Sequence, residues 1–178
     1  MTLRVKVNSL QGFKEEDLHF LYKALRLQED ILNSQEFKLQ WYALDPKHNK
    51  GMSQKEIYGL IMRGYSRFED LVDYELDYFL TMRQLKKGTL GSTLMSTGRI
   101  TINSLKFQYW KKSKYGHVYL CSNLFHEALH SQFGFTHPSF PPSWKRKSVP
   151  YLGGYLVRDL GERVVKYNYK LSPVANQK

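Results

Sequence analysis

The chain has 178 residues and a mass of 21.0 kDa, a size that predicts one domain over residues 1–178. Apolar residues make up 42% of the chain and aromatic residues 15%, which suffices for a packed core and excludes a disordered chain. The single cysteine, Cys121, excludes a disulfide framework and a zinc site built from several cysteines. No run of about 18 apolar residues occurs, so we expect no membrane span.

The net charge of +11 is unevenly distributed along the chain. Residues 1–80 carry 11 Lys/Arg against 13 Asp/Glu, whereas residues 81–178 carry 16 against 3. This basic half suggests an anionic partner such as nucleic acid, an acidic protein segment or an envelope polymer, and high charge that only maintains solubility is an equal alternative. The N-terminal stretch MTLRVKVNSL lacks the apolar segment of a secretory signal peptide. We therefore expect synthesis in the cytoplasm, with export by phage lysis or a secretion machine, or association with a phage particle, left open.

Hydrophobic periodicity predicts the elements of the first half of the chain. Strands are expected at residues 3–10, 36–44 and 74–85. Helices are expected at residues 14–34 and 53–64, the second with a capping box formed by Ser53 and Glu56.

The second half is predicted to contain a hairpin and two helices. The hairpin covers residues 91–107 with its turn at Thr97-Gly98, and the helices cover residues 117–133 and 151–167. An irregular, proline-rich loop is expected at residues 137–150, and a flexible or draped tail at residues 168–178. This order predicts a mixed α+β fold with a small mixed sheet and a domain core of about 12–170.

Three of the six histidines lie in the stretch NLFHEALHSQFGFTH, residues 123–137. His126 and His130 are four residues apart on a predicted helix, so they project from one face and can bind one metal ion. Glu127 lies about 100° further round the helix. It is badly placed as a metal ligand and well placed to hydrogen-bond a water on the metal.

A third histidine follows the predicted end of this helix. Gly134 can adopt a left-handed conformation and reverse the chain, which would bring His137 toward His126 and His130. Three histidines with one open position are typical of a catalytic zinc site, with one ion per chain. The alternative is a helix end whose histidines are only partly buried and hydrogen-bonded.

The stretch HEALHSQFGFTH resembles the zinc-binding consensus of metzincin-type metallopeptidases, H-E-x-x-H-x-x-G-x-x-H. The chain is also similar to compact bacterial and phage zincins in which a hairpin such as STLMSTGRITIN precedes the zinc helix and a segment such as VPY follows it. The resemblance covers residues 74–165, and the helix at 14–34 corresponds to a backing helix by order alone. It implies a zincin-like fold and zinc-dependent hydrolysis of peptide bonds.

This chain departs from the metzincin consensus in two ways. One extra residue lies between His130 and Gly134, which requires a longer last turn, a π-type bulge, or a His137 that is not a ligand. All five methionines lie upstream of the motif, so the methionine turn of metzincins is missing. In gluzincin-type enzymes an acid on a following helix completes the site, and Glu162 and Asp159 are therefore rivals of His137. An ion pair with a neighbouring arginine is the simpler interpretation of each acid.

The resemblance also implies roles for the residues around the metal. Glu127 would act as the general base, and Tyr151, after the stiff Pro150, is a candidate donor to the developing oxyanion or, equally, a packing residue. The substrate is expected to be an extended protein or peptide bound along GSTLMST, with acidic residues as a candidate preference. Specificity is expected from the loop PSFPPSWKRK and from Tyr109, Trp110 and Trp144. A basic nucleic-acid-associated protein and a catalytically silent zincin-fold component are the alternative functions.

Overall fold

The structure is a computed structural model that describes residues 2–68, 72–139 and 141–174. It is a mixed α+β fold with four strands and seven helices in these ranges. The strands are β1 (Arg4–Gln11), β2 (Glu75–Arg83), β3 (Gly91–Leu94) and β4 (Arg99–Asn103). The helices are α1 (Glu15–Leu32), α2 (Gln35–Tyr42), α3 (Gln54–Met62), α4 (Ser104–Lys111), α5 (Gly116–Ser131), α6 (Pro142–Lys145) and α7 (Val149–Tyr167).

The four strands form one mixed sheet in the order β1-β2-β4-β3. The pairs β1–β2 and β2–β4 are parallel, whereas β3 is antiparallel to β4 and forms one edge of the sheet. The predicted hairpin is confirmed, because β3 and β4 are joined by the short turn that contains Gly98, with a φ of 68°. The sheet therefore presents β3, the strand nearest to the histidine motif in the fold, as an open edge.

The helices α1 and α5 pack together against the sheet, and α7 packs against α5. A buried polar chain links these layers: the Tyr78 hydroxyl donates to the Gln28 side chain, and Gln28 donates to the Cys121 carbonyl. Glycines allow the close approach of α7 to α5, because a Cβ at Gly153 would lie 2.5 Å from Leu129 Cδ1. The helix α7 forms despite its glycines because it buries an apolar face against its neighbours.

Three predicted segments differ in the structure. Most of the strand predicted at residues 36–44 is helical, because residues 36–42 belong to α2, which the Ser34 hydroxyl caps by accepting from the Phe37 N–H. Residues 104–111, at the end of the predicted hairpin segment, form α4, which Asn103 caps in the same way. The proline-rich loop contains the short helix α6. The predicted helices 14–34, 53–64, 117–133 and 151–167 are confirmed, with the capping box at Ser53.

Part of the predicted tail is attached to the rest of the molecule. Residues 168–174 lie across the α1–α2 junction, where the Ser172 N–H donates to Glu36 and the Val174 N–H donates to the Asn33 carbonyl. Residues 175–178 of the predicted tail lie outside the described residues. Within the described part of the chain, no helix has the length and apolar composition needed to cross a membrane.

Candidate metal centre

The second half of α5 carries the first two histidines of the candidate site. His126 and His130 project from the same face of α5, and their Nε2 atoms lie 3.3 Å apart. The opposite face of the helix is anchored in the core by side chains such as Leu124 and Ala128, both fully buried. The two imidazoles are therefore held on a rigid element.

The chain reverses after α5 and brings the third histidine back to the first two. Gly134 adopts the left-handed conformation with a φ of 66°, and its N–H donates to the His130 carbonyl. Phe135 is fully buried, and its N–H donates to the Leu129 carbonyl. The extra residue of this chain is accommodated in the turn at residues 132–133, between the end of α5 and Gly134. As a result, His137 Nε2 lies 3.1 Å from His130 Nε2.

The three imidazoles fit a metal ion. One ring nitrogen from each of His126, His130 and His137 lies within 4.8 Å of the others. Nitrogen ligands about 2.0–2.1 Å from a tetrahedral zinc ion lie about 3.3 Å from one another. The two Nε2–Nε2 distances of 3.3 and 3.1 Å are close to this value. The three histidines are thus close enough to bind one ion.

In His130 and His137, the other ring nitrogen is held by an acceptor. His130 Nδ1 donates to the Phe135 carbonyl over 2.5 Å. His137 Nδ1 lies 2.8 Å from the hydroxyl of Ser148, and this hydroxyl donates its own proton to the Lys145 carbonyl. Ser148 must therefore accept from His137, which leaves the Nε2 lone pair free. Such contacts fix the tautomer and orientation of metal-binding histidines.

Burial keeps the three imidazoles neutral. Burial, together with the charges of His130 and His137, lowers the pKa of His126 to about 3. Burial and the neighbouring His130 and Lys145 lower the pKa of His137 to about 4, and burial also lowers the pKa of His130. Since a metal ion binds the neutral imidazole, these rings need not lose a proton to act as ligands at neutral pH.

Glu127 lies in the same cleft but outside the histidine cluster. Only 6% of its surface is exposed, and its Oε2 accepts a hydrogen bond of 2.6 Å from the Thr93 hydroxyl on β3. Burial raises the pKa of Glu127 to about 7, although the Thr93 hydrogen bond opposes this shift. A carboxylate that titrates near neutral pH is suited to accept and return a proton.

Tyr151, in the first turn of α7, packs against the histidines. Its ring centroid lies 4.8 Å from that of His126 and 4.7 Å from that of His137. Tyr151 also lines the cleft, so it contacts the candidate metal ligands and the space next to them. Both predicted roles, packing and hydrogen-bond donation, are compatible with this position.

The two acidic rivals of His137 lie elsewhere. Asp159 accepts from Arg163 over 2.7 Å, and Glu162 lies 3.9 Å from Arg158. Both carboxylates are about half exposed, and neither belongs to the histidine cluster found among the described residues. The geometry therefore favours His137 over Asp159 and Glu162 as the third ligand.

A cleft of about 730 Å³ opens above these residues. It runs between the edge strand β3 and the helices α5 and α7, and Gly91 on β3 leaves room for α5, because a Cβ there would lie 3.2 Å from Glu127 Oε1. Of the three aromatic residues predicted to determine specificity, Tyr109 and Trp110 line the cleft, whereas Trp144 is exposed and is not among the lining residues. Among the described residues of the segment PSFPPSWKRK, Lys145 lines the cleft.

None of the family models, curated proteins or solved structures compared with the chain matches it. The account of the site therefore depends on its own residues and geometry. Sequence reasoning did not identify Thr93 and Ser148, which contact Glu127 and His137. Their partners are 34 and 11 residues away, and no local pattern marks such contacts.

Proposed function

We propose that this protein is a zinc-dependent metalloendopeptidase with a zincin-like fold. The observation that carries the proposal is the convergence of three neutral imidazoles beside a buried carboxylate, Glu127, in an open cleft. The antiparallel edge strand next to the helix that carries HEALH agrees with the resemblance to zincins. A purely structural zinc site would instead use four protein ligands and need no cleft.

Zinc is the metal that suits this donor set best. Three neutral imidazoles form a borderline-soft site that suits zinc better than magnesium or calcium, which require oxygen ligands. His126, His130 and His137 would hold the zinc ion, which would supply a Lewis acid and would make a bound water molecule more acidic.

Glu127 is the general base of the proposed reaction. Its carboxylate accepts a proton from the attacking water and donates it to the nitrogen of the leaving amine. A divalent cation nearby favours the ionised carboxylate, which counteracts the effect of burial. The Thr93 hydroxyl fixes one carboxylate oxygen and leaves the other free for the proton transfer.

Tyr151 is the proposed donor to the developing oxyanion. Its ring packs against His126 and His137, and Tyr151 is one of the residues that line the cleft. A phenol hydroxyl in this position would stabilise negative charge on the carbonyl oxygen of the scissile bond.

An extended protein or peptide is the proposed substrate. The residues of β3 alternate between partly buried and exposed, and one edge of the strand is not paired within the sheet. Such an edge can add a substrate strand through backbone hydrogen bonds. This arrangement would place the scissile bond next to Glu127, which already contacts Thr93 on β3.

Metal analysis combined with a substitution tests the proposal. Purified protein reloaded with zinc should contain about one ion per chain and should cleave an unstructured protein such as casein. The variant Glu127→Ala should retain the zinc and lose about 10²- to 10⁴-fold in turnover. Unchanged turnover in Glu127→Ala, or protein that does not take up zinc, would refute the assignment.

A further inference from the structure

The cleft continues well beyond the candidate metal ligands. One face of α5 lines it from His130 back to Tyr119. The seven residues from His126 to Tyr119 correspond to about 10 Å along the helix. The helix α7 runs in the opposite direction: a Cβ at Gly154 would lie 3.3 Å from His126 Cβ, and Gly161 faces Val118. Residues of α7 that follow Gly154 and line the cleft therefore lie toward its Tyr119 end.

A second group of lining residues gathers at this end. Tyr155 and Arg158 follow Gly154 on α7. The helix α4 ends at Lys111, only a few residues before α5 begins, so Tyr109, a cleft-lining residue in its last turn, also lies near the start of α5. We call this group the distal subsite, and it consists of Tyr109, Tyr119, Tyr155 and Arg158.

The cation of the distal subsite, Arg158, has one acidic neighbour. Among residues 81–178 the acidic residues are Glu127, Asp159 and Glu162. Glu127 lies at the other end of the cleft, and Asp159 pairs with Arg163. Glu162 forms an ion pair with Arg158 in which Oε1 lies 3.9 Å from Nε, a distance too long for a hydrogen bond, so this pair does not occupy a donor of the guanidinium.

Arg158 is positioned to meet a ligand. Its guanidinium lies 5.3 Å from the centre of the Tyr155 ring, so an aromatic face supports it. A carboxylate is the group that a guanidinium next to a tyrosine-lined wall would recognise.

We propose that the distal subsite binds a carboxylate of the substrate about two to three residues from the scissile bond. The spacing follows from geometry, since an extended peptide advances about 3.3 Å per residue, and Arg158 and Tyr119 lie about 6 and about 10 Å along their helices from the level of His126. The inference rests on the proposed peptidase function. The carboxylate is supplied either by an Asp or Glu side chain or by the C-terminus of the substrate.

Peptide binding to the Glu127→Gln variant tests the inference without turnover. Zinc-loaded Glu127→Gln would be titrated with fluorescent decapeptides that are amidated at the C-terminus and carry one glutamate at successive positions. Replacing that glutamate with glutamine should weaken binding about five- to tenfold at one position and little at the others. A second series with a free C-terminal carboxylate at varying distance distinguishes the two sources. Equal affinity for the Glu and Gln peptides at every position in both series would overturn the proposal.

Charge reversal identifies the residues responsible. Arg158→Glu should remove the preference for glutamate and create a preference for a lysine at the same peptide position. Arg158→Gln, which only removes the charge, should bind the Glu and Gln peptides equally. The matched control is Arg163→Glu, on the same helix but outside the cleft, which should keep the preference for glutamate. A preference that survives Arg158→Glu, or that is lost equally in Arg163→Glu, would contradict the assignment.

The outcomes separate this inference from the proposed function. Cleavage of casein by the wild-type protein without any dependence on glutamate would leave the peptidase intact and overturn the distal subsite. Glutamate-dependent binding without hydrolysis by the zinc-loaded wild-type protein would support the subsite and refute the peptidase. A mixed-sequence single-stranded oligonucleotide that binds more tightly than the best peptide, and loses binding in Arg158→Glu, would overturn the inference in favour of a nucleic-acid ligand.

Discussion

Asp17 in α1 and Glu127 in α5 are both buried carboxylates, but their pKa values are shifted in opposite directions. Asp17 is fully buried and accepts hydrogen bonds from Lys111, Gln108 and the Lys14 N–H. Burial raises its pKa, but these hydrogen bonds and the charge of Lys111 outweigh burial, and the pKa is lowered. Glu127 accepts one side-chain hydrogen bond, from Thr93, and its pKa is raised to about 7.

This difference separates a structural carboxylate from a candidate functional one. Asp17 joins α1 to α4, and its hydrogen-bonding capacity is used within the protein. Glu127 faces a cleft with one oxygen uncommitted, which costs stability but leaves a group that can exchange a proton with a ligand. Three substitutions and one pH titration test whether the residues on α5 serve function and those on α1 serve stability.

The largest expected effect is the loss of metal binding when a histidine ligand is removed. His130→Ala removes the ring that contacts both other histidines, and we expect the metal affinity to fall by more than about 100-fold. Competition with a chromophoric chelator measures this change. His19→Ala on the exposed face of α1 is the matched control and should bind the metal normally. Full zinc occupancy in His130→Ala would show that His130 on α5 is no more important for metal binding than His19 on α1.

The second effect concerns stability alone. Asp17→Asn weakens a buried, charge-assisted hydrogen bond to Lys111, and we expect the free energy of unfolding to fall by about 2 kcal/mol. Urea denaturation measures the change. Glu127→Gln is the matched control and should change stability by less than about 1 kcal/mol, because one hydrogen bond from Thr93 is retained. Equal losses in both variants would show that the two carboxylates have the same role.

A smaller effect is expected at a residue that orients a ligand. Ser148→Ala removes the hydroxyl that accepts from His137 Nδ1, and the metal affinity should fall about 10- to 100-fold. Chelator competition again provides the measurement. Ser122→Ala is the matched control, because the Ser122 hydroxyl donates to the Gly154 carbonyl and contacts no histidine of the cluster through this bond. Unchanged metal affinity in Ser148→Ala would show either that His137 is not a ligand or that Ser148 does not orient it.

The smallest effect is the acid sensitivity of the α1–α4 contact. Because the folded pKa of Asp17 is below its ordinary value of 3.8, its contribution to stability is present above that value and is lost as the pH falls through the folded pKa. The difference in unfolding free energy between the wild type and Asp17→Asn should therefore be constant near neutral pH and shrink below about pH 4. If this difference in unfolding free energy grows as the pH falls, the pKa of Asp17 is raised in the folded protein, and the assigned direction is wrong.

The sequence predicts the candidate site on α5 much better than the ion pair that Asp17 of α1 forms. The spacing of His126, Glu127 and His130 is local, so a helix brings these residues together in any context. Gly134 marks the chain reversal, and the structure brings His137 to the cluster. The ion pair of Asp17 and Lys111 joins residues 94 positions apart, and no pattern in a single sequence identifies such a pair.

The segment at residues 36–44 shows how local patterns compete. Phe37, Leu39 and Trp41 alternate with polar residues, which is typical of a strand. In the structure only Phe37 and Trp41 are buried, four residues apart on one face of α2, and Leu39 is 58% exposed. Ser34 is a favoured N-cap residue and indicates a helix, whereas the alternation of apolar and polar residues indicates a strand.

X-ray absorption spectroscopy of the zinc-loaded protein tests the central claim most directly, because it counts and identifies the atoms around the metal. We predict a four-coordinate zinc ion with three imidazole nitrogens at about 2.0–2.1 Å and one oxygen from water. The imidazole count should fall to two in His137→Ala. A spectrum with two imidazoles and a protein carboxylate in the wild type, or with a sulfur ligand, would contradict the account.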